Sequence, residues 1–151
     1  MSNSKFQVLR ESLGLNSGTK INMSNAEFKL ICESLGFYSA EIIRDYFKTI
    51  GFNDTANIRP IQYWLNGKQT FNMPIPQDVV EHIQKLNEYK FHLASLDKFK
   101  YNTYLFKDKT VMWAEFPELN GLPCSYLNQL MLLVSALHGH RHMTYFVYDH
   151  N

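Results

Sequence analysis

The sequence lacks several features that identify particular classes of protein, and each absence excludes one class. Its only two cysteines, Cys32 and Cys124, are far apart, so neither a disulfide framework nor a cysteine-rich metal site is expected. No apolar run approaches the roughly 20 residues that cross a bilayer. Residues 1–10 also lack the apolar stretch of a secretory signal. We therefore expect a reduced cytoplasmic protein, nucleoid-associated if it binds DNA, with no membrane partner.

An excess of charge of one sign is also missing. Lys and Arg number 15 against 14 Asp and Glu, which gives a net charge of +1. Residues 23–90 carry 7 basic and 8 acidic side chains, residues 1–22 carry 3 and 1, and residues 91–151 carry 5 of each. Phosphate binding normally draws on a basic surface, so binding to nucleic acid would require local clustering of cations. The candidates for such a cluster are Arg44, Lys48, Arg59 and Lys68.

Motifs for catalysis and metal binding are absent as well. The sequence has no Gly-rich phosphate loop, and no Ser/His/Asp constellation can be assigned. Cys124 follows a proline at a helix start, where a thiol pKa can fall, but no base can be paired with it. No carboxylate or cysteine lies at metal-ligand spacing from the C-terminal histidines, which are His138, His140, His142 and His150. We expect a protein that is not an enzyme and binds neither metal nor cofactor.

A short amphipathic segment at residues 57–67, Asn-Ile-Arg-Pro-Ile-Gln-Tyr-Trp-Leu-Asn-Gly, is the most informative feature that is present. Helical spacing gives it one apolar stripe that must be buried, formed by Ile58, Ile61, Trp64 and Leu65. The other positions carry Arg59, Gln62, Tyr63 and Asn66. Arg, Gln and Asn have the forked donors and acceptors that match base edges in a DNA major groove. The segment therefore predicts the reading helix of a helix-turn-helix.

The predicted DNA contacts are Asn57, Arg59, Gln62, Tyr63, Asn66 and Lys68. We expect Arg59 and Gln62 to read bases, while Asn57 and Lys68 hold phosphates. Each assignment has a plainer alternative. Arg59 and Gln62 can simply be solvated, Asn57 can cap the helix, and Tyr63 can be an exposed interface tyrosine. The indole of Trp64 lies on the apolar stripe and is expected in the core.

Helical patterns flank this segment on both sides. A first helix is predicted from about residue 24 to 35 and a second from about 39 to 48, where Ser39 is a plausible N-cap. After a connection rich in Asn, Met and Pro, the longest pattern runs from Gln77 to about Phe99. This order predicts a helix-turn-helix DNA-binding domain over residues 23–99.

After Lys100 the pattern changes to β-α-α-β, which predicts a small α+β region over residues 100–151. The segments are 101–106, 109–116, 126–138 and 142–148. A single pair of strands is only marginally stable alone, so we expect a second copy of the chain to cover this region. The residues predicted to form that dimer contact are Trp113, Leu127, Met131, Val134, Tyr145 and Val147.

The chain repeats itself at its start. Met1–Leu15 aligns without gaps on Met23–Phe37, and 8 of the 15 positions are identical. Residues 1–22 therefore form an extension that repeats the first helix of the predicted bundle. Two copies cannot fill one position in one core. The extension is expected either to pack outside as an extra helix, or to act as an arm that swaps between subunits or competes with its twin.

Several stretches together resemble a known family. They are Met23-Ser-Asn-Ala-Glu-Phe, Arg59-Pro-Ile-Gln-Tyr-Trp-Leu-Asn-Gly-Lys, Met73-Pro-Ile-Pro-Gln-Asp-Val-Val and Trp113-Ala-Glu-Phe-Pro-Glu-Leu-Asn-Gly-Leu-Pro. Their pattern Arg-x-x-Gln-x-Trp-x-x-Gly, followed by a proline and an acidic residue, is similar to the Cro/Xre-type helix-turn-helix of anti-CRISPR-associated autoregulators and their bacterial relatives. The resemblance covers roughly residues 23–149.

The resemblance implies a mainly α fold, with a lambda-repressor-like helix-turn-helix bundle followed by a small α+β dimerisation region. It implies a homodimer that represses its own operon at an inverted-repeat operator in double-stranded DNA. Base or phosphate contacts fall on Arg59 and Gln62, with Tyr63 beside them, and the C-terminal part forms the dimer. The longer turn before the reading helix and the N-terminal repeat have no counterpart in the family.

Two other functions fit the same features. In the first, the chain is an antitoxin that binds DNA with the same module while its C-terminal half caps a toxin. In the second, it is a protein-interaction module that has lost DNA binding, which its near-neutral charge favours.

Overall fold

The structure, a computed structural model, describes residues 23–52, 57–66, 74–139 and 144–148, the last of these for the backbone only. Its fold is mainly α-helical, which confirms that part of the prediction. The helices in chain order are α1 (Asn25–Ser34), α2 (Ala40–Thr49), α3 (Ile58–Leu65), α4 (Gln77–Ala94), α5 (Asp97–Lys100), α6 (Lys109–Glu115) and α7 (Cys124–His138). The strands are β1 (Asn102–Phe106) and β2 (Thr144–Tyr148), and a 3-10 turn covers Pro117–Leu119.

Side-chain caps fix where the first three helices begin. Ser24 accepts a hydrogen bond from the backbone N–H of Glu27 at 3.1 Å, and Ser39 accepts one from Ile42 at 3.2 Å. Asn57 accepts one from the N–H of Arg59 at 3.2 Å. Each cap satisfies an N–H group that the first helical turn leaves without a partner. The predicted capping roles of Ser39 and Asn57 are confirmed.

The N-terminal half is built around α3, which packs against both α1 and α2. Trp64 is 2% exposed and meets the ring of Phe28 edge-on, with 6.0 Å between ring centroids. The next helix, α4, packs against α1, and the Nζ of Lys90 donates a hydrogen bond to the carbonyl of Ser34 at 2.8 Å. That carbonyl lies in the last turn of α1, where a cation is favourable for the helix dipole.

The prediction of one helix from Gln77 to about Phe99 is wrong at its C-terminal end. α4 ends at Ala94, and Ser95 caps it with a hydroxyl that donates to the carbonyl of His92 at 2.6 Å. Leu96 is extended, and the chain re-enters helix as α5. This bend brings Phe99 into the core, where it is fully buried against Phe116 at a centroid separation of 5.0 Å.

The C-terminal half follows the predicted β-α-α-β order. β1 and β2 pair in parallel, from Asn102 opposite Thr144 to Phe106 opposite Tyr148. Parallel neighbours need a crossover connection, and α6 and α7 provide it. α7 packs against α4, α5 and β1. The buried hydroxyl of Tyr126 in α7 donates to the carbonyl of Leu86 at 2.8 Å.

One hydrophobic cluster runs through both halves, from Phe28 in α1 to Val134 in α7. The two halves approach each other closely at the turn between α1 and α2. Gly36 has φ +79°, and a Cβ there would lie 2.4 Å from the carbonyl carbon and oxygen of Ser125. The hydroxyl of Ser125 donates to the carbonyl of Gly36 at 2.6 Å. The predicted boundary at residue 99 therefore does not separate two hydrophobic cores.

The N-terminal repeat, residues 1–22, lies outside the described residues, but the structure does describe the position that its twin occupies. In α1, Phe28 and Cys32 are fully buried. Arg10 stands at the place in the first copy that Cys32 holds in the second. A guanidinium placed there would lose its hydration inside an apolar core, which costs several kcal/mol. The first copy is therefore a poor substitute for α1.

Deleting residues 1–22 is expected to change the free energy of unfolding by less than about 1 kcal/mol, because α1 already fills its own position. Urea denaturation of the full and shortened chains, together with their masses in solution, measures this. A large loss of stability or a change of oligomeric state would instead support the swapped or competing arm.

Candidate nucleic-acid interface

The outward face of α3 presents three of the predicted DNA contacts together. Arg59, Gln62 and Asn66 are exposed and follow one another at spacings of three and four, so they share one side of the helix. Tyr63, one turn after Arg59, is half-buried at the margin of this side. We call Arg59, Gln62 and Asn66 the α3 outer face.

The opposite side of α3 holds the outer face in its orientation. Ile61 is fully buried and Trp64 is 2% exposed, while Ile58 and Leu65 are half-buried against the same core. The predicted apolar stripe is therefore confirmed, and so is the core position of the indole. With two large side chains locked inside, the helix cannot rotate about its axis without opening the core.

The two ends of α3 carry amide side chains. Asn57 is exposed and its Oδ1 accepts the N–H of Arg59, so the capping interpretation holds for this residue. A phosphate contact by Asn57 is a separate assignment that stays a prediction. Asn66 follows the last helical residue, and its N–H donates to the carbonyl of Tyr63 at 3.2 Å. Lys68 lies outside the described residues.

Of the four cations proposed as a cluster, three are described. The guanidinium of Arg44 on α2 donates twice to the Asp45 carboxylate, each time at 3.3 Å, which partly neutralises its charge. Lys48 on α2 and Arg59 on α3 are exposed. Because α2 and α3 pack on each other, Lys48 and Arg59 lie on neighbouring helices that could offer cations to one phosphate backbone.

The predicted dimer contact on α7 requires a correction. Leu127 and Val134 are fully buried and Met131 is 6% exposed, all three in the chain's own core. Trp113 is half-buried, and its indole N–H donates to the carbonyl of Leu122 at 2.7 Å. The prediction is wrong for Leu127, Met131 and Val134, because α4, α5 and β1 already cover that side of α7. For the half-buried Trp113 on α6 it stays a prediction.

The side chains of Tyr145 and Val147 lie outside the described part. Their backbone belongs to β2.

The cysteines show no sign of activation. Cys32 is fully buried, and burial raises the pKa of its thiol. The pKa of Cys124 is also raised, first by burial and then by the nearby Asp108 carboxylate. A raised pKa removes the reactive thiolate at neutral pH, which opposes a nucleophilic role. Among the described residues no group of three His, Cys, Asp or Glu side chains is placed to hold a metal ion.

Sequence reasoning missed a cleft of about 520 Å³ between the two halves. It lies between α2, the turn that leads from β1 into α6, and the start of α7. Its polar lining includes Asp45, Tyr46, Thr49, Lys107, Thr110 and Cys124. These residues are scattered over 80 positions of the sequence, so no local motif could have revealed them.

A buried polar pair behind the cleft was missed as well. The hydroxyl of Tyr46 and Nε2 of His82 lie 2.5 Å apart, and His82 is 7% exposed. Burial and, second, the charge of Lys85 lower the pKa of His82 to about 4. Burial raises the pKa of Tyr46. Both groups therefore stay neutral at pH 7, with the phenol donating to the imidazole.

In the part of the chain that the structure describes, no helix combines the length and apolar character needed to cross a membrane. Comparisons of the chain with protein-family models, with curated proteins and with solved structures find no match. The features that bear on function are therefore the geometry of the α3 outer face and the sequence around it.

Proposed function

We propose that this chain is a sequence-specific DNA-binding regulator that acts as a homodimer and represses its own operon at an inverted-repeat operator. The observation that carries the proposal is the α3 outer face. An arginine, a glutamine and an asparagine stand on one exposed side of a helix whose other side is fixed in the core. Three helices packed so that the third is exposed along its length suit insertion of that helix into a major groove.

The proposed contacts follow from the chemistry of the side chains. Arg59 can donate two hydrogen bonds to the O6 and N7 of one guanine, and Gln62 can donate to and accept from one adenine. Asn57, Lys68 and backbone amides would hold phosphates, and Tyr63 would contact a phosphate or a thymine methyl group. In a homodimer the two reading helices would meet half-sites about 10 base pairs apart, or a multiple of that.

The low charge of the chain shapes the proposal. Residues 23–90 have a net charge of −1, so a single copy has little nonspecific attraction to DNA. A dimer doubles the number of phosphate contacts without changing the residues that read bases. We therefore expect weak nonspecific binding and a strong dependence of operator binding on two correctly spaced half-sites.

Replacing Arg59 with alanine is expected to weaken specific operator binding by about 1–3 kcal/mol, which is about 5- to 150-fold in Kd. The physical reason is the loss of a bidentate donor from an exposed face, with no change in the core. A gel shift at several salt concentrations, using an operator selected from random DNA, measures the effect.

The matched control is Lys100→Ala, which removes one positive charge from the C-terminal half and should change the affinity little. Equal affinities of the Arg59→Ala variant and the unmodified chain, with the fold intact, would overturn the assignment of Arg59.

A protein-interaction module that has lost DNA binding is the second candidate. The near-neutral charge and the large exposed apolar side chains favour it, among them Leu30 and Phe91, which are 65% and 52% exposed. The same gel shift separates the candidates. Phosphate contacts make affinity fall steeply with salt, whereas a module that has lost DNA binding selects no sequence at all.

A further inference from the structure

α7 lacks the charged side that a surface helix normally presents to water. Residues 119–140, which contain the whole helix, include no Asp, Glu, Lys or Arg. A helix at the surface of a globular protein usually has an apolar stripe inward and charged residues outward. α7 packs against α4, α5 and β1 and its start lies against the turn between α1 and α2, yet it still has exposed residues, none of which carries a charge.

The open side of α7 carries a contiguous apolar patch. Leu132 is 62% exposed and Leu137 is 54% exposed, Ala136 is exposed and Leu133 is half-buried. The pairs Leu132–Ala136 and Leu133–Leu137 are each one turn apart, so the four side chains adjoin one another. We call these four residues the α7 patch. Large exposed leucines that adjoin one another, with no charge among them, are typical of a surface that another molecule covers.

The surroundings of the α7 patch extend it toward the size of an interface. At one end, the amide of Gln129 donates to the hydroxyl of Tyr38 at 2.6 Å, and Tyr38 is 55% exposed. At the other end, Nε2 of His138 lies 3.1 Å from the carbonyl of Ala94. Ala94 is one helical turn after Phe91 on α4, and Phe91 is exposed. Stable interfaces bury about 800 Å² per partner, so an interface here has to include these neighbours as well as the four side chains.

We propose that the α7 patch is the homodimer interface, and that its partner is the same patch of a second copy. In a two-fold contact the same surface meets itself, so any charge near the axis would face its own copy. The α7 patch contains no charge, and residues 119–140 supply none at its edges. It can therefore meet itself without repulsion, while its leucines lose their contact with water.

The same contact would set the distance between two reading helices, a consequence that rests on the proposed function. The start of α7 is tied to the turn between α1 and α2 by the hydrogen bond from Ser125 to Gly36 and by the close approach of their backbones. α1 and α2 in turn hold α3. A dimer joined through α7 therefore fixes where both α3 outer faces point.

The test is the mass of the full chain in solution, measured by light scattering after size exclusion over a range of concentrations. The unmodified chain should have twice its chain mass of 17.7 kDa, and the double variant Leu132→Glu, Leu137→Glu should have the single mass. Circular dichroism should be the same for both, because the replaced side chains lie mostly in water. If the glutamate pair does not fold, the pair Leu132→Lys, Leu137→Lys is used in its place.

The matched control is Leu30→Glu, which changes an equally exposed leucine on α1 and should leave the dimer intact. A monomeric unmodified chain, or a double variant that stays dimeric, overturns the proposal. DNA binding is measured separately. The monomeric variant should bind the full operator at least tenfold more weakly than the unmodified chain. Its remaining binding to a half-site should be lost when Arg59 is also replaced. A dimer that needs the α7 patch but selects no DNA would refute the proposed function and leave this interface standing.

Discussion

Replacing Gly36 with alanine is expected to lower the free energy of unfolding by about 4 kcal/mol. Two costs add at this position. Its φ of +79° is a left-handed conformation that side chains with a Cβ rarely adopt. The new Cβ would also lie 2.4 Å from the backbone carbonyl of Ser125 and 2.8 Å from the N of Tyr126. Backbone atoms cannot move aside as a flexible side chain can, so α7 would have to shift.

Gly51→Ala is the matched control for this prediction. Gly51 has φ +89°, and a Cβ there would meet nothing within 4 Å. Its replacement should therefore cost only the conformational strain, about 1–2 kcal/mol. Urea unfolding of both variants isolates the contribution of the close approach. Similar losses for Gly36→Ala and Gly51→Ala would show that α7 does not pack tightly on the turn between α1 and α2.

The outcome matters beyond stability, because this contact joins the two halves of the molecule. If α7 shifts, the hydrogen bond from Ser125 to Gly36 is lost and the α3 outer face is no longer held at a fixed angle to α7. A Gly36→Ala variant that still folds should therefore lose affinity for a full operator more than for a half-site. That pattern would separate a defect in the relative placement of two subunits from a defect in base reading.

Lowering the pH from 7 to 4 is expected to reduce stability by about 3 kcal/mol through His82 alone. The pKa of His82 is lowered from 6.5 to about 4 in the folded protein, by burial first and by Lys85 second. Between these two values the unfolded chain binds a proton that the folded chain does not. The stability that the neutral His82 contributes is therefore fully present above pH 6.5, declines as the pH falls, and is exhausted near pH 4.

The measurement is urea unfolding at a series of pH values, compared with the double variant Tyr46→Phe, His82→Phe. Replacing both partners removes the titrating group without leaving a buried hydroxyl unpaired. Between pH 7 and pH 4 the unmodified chain should lose about 3 kcal/mol more stability than the double variant. The contributions of carboxylates that titrate in both proteins cancel in this comparison.

His92→Phe serves as the control, since it changes an exposed histidine of the same helix and should keep the pH dependence. A double variant with the same pH profile as the unmodified chain would contradict the assignment to His82.

The elements with a clear helical period were predictable from their residues. In α3, apolar side chains recur at spacings of three and four with polar ones between them, so the buried side was evident and Ile61 and Trp64 are indeed in the core. The caps Ser39 and Asn57 were predictable for a similar reason, because their chemistry acts within three residues of the helix start. The C-terminal end of α4 was not predictable from the sequence. Leu93, Leu96 and Phe99 keep a helical spacing across the bend, so the apolar pattern continues where the helix does not.

α7 shows why the dimer contact could not be read from the sequence. Eight of the eleven positions from Leu127 to Leu137 are apolar and none is charged, so the helix has no charged side that would indicate its orientation. The sequence correctly indicated a strongly apolar helix at this place. Leu127 and Val134 were predicted to form a dimer contact and are buried in the core of the chain, whereas Leu132 and Leu137 are exposed. Only the packing of α4, α5 and β1 decides which leucines stay exposed.

The amino-acid sequence by itself determined the helical character of the chain, the boundaries of its capped helices and the polar outward face of α3. These features depend on interactions between residues three or four positions apart, which the order of residues contains. The tertiary structure decided the cleft behind α2, the neutral Tyr46–His82 pair, the approach of Gly36 to Ser125 and the open side of α7. Those features join residues that are tens of positions apart, and their energies depend on burial, which exists only once the chain has folded.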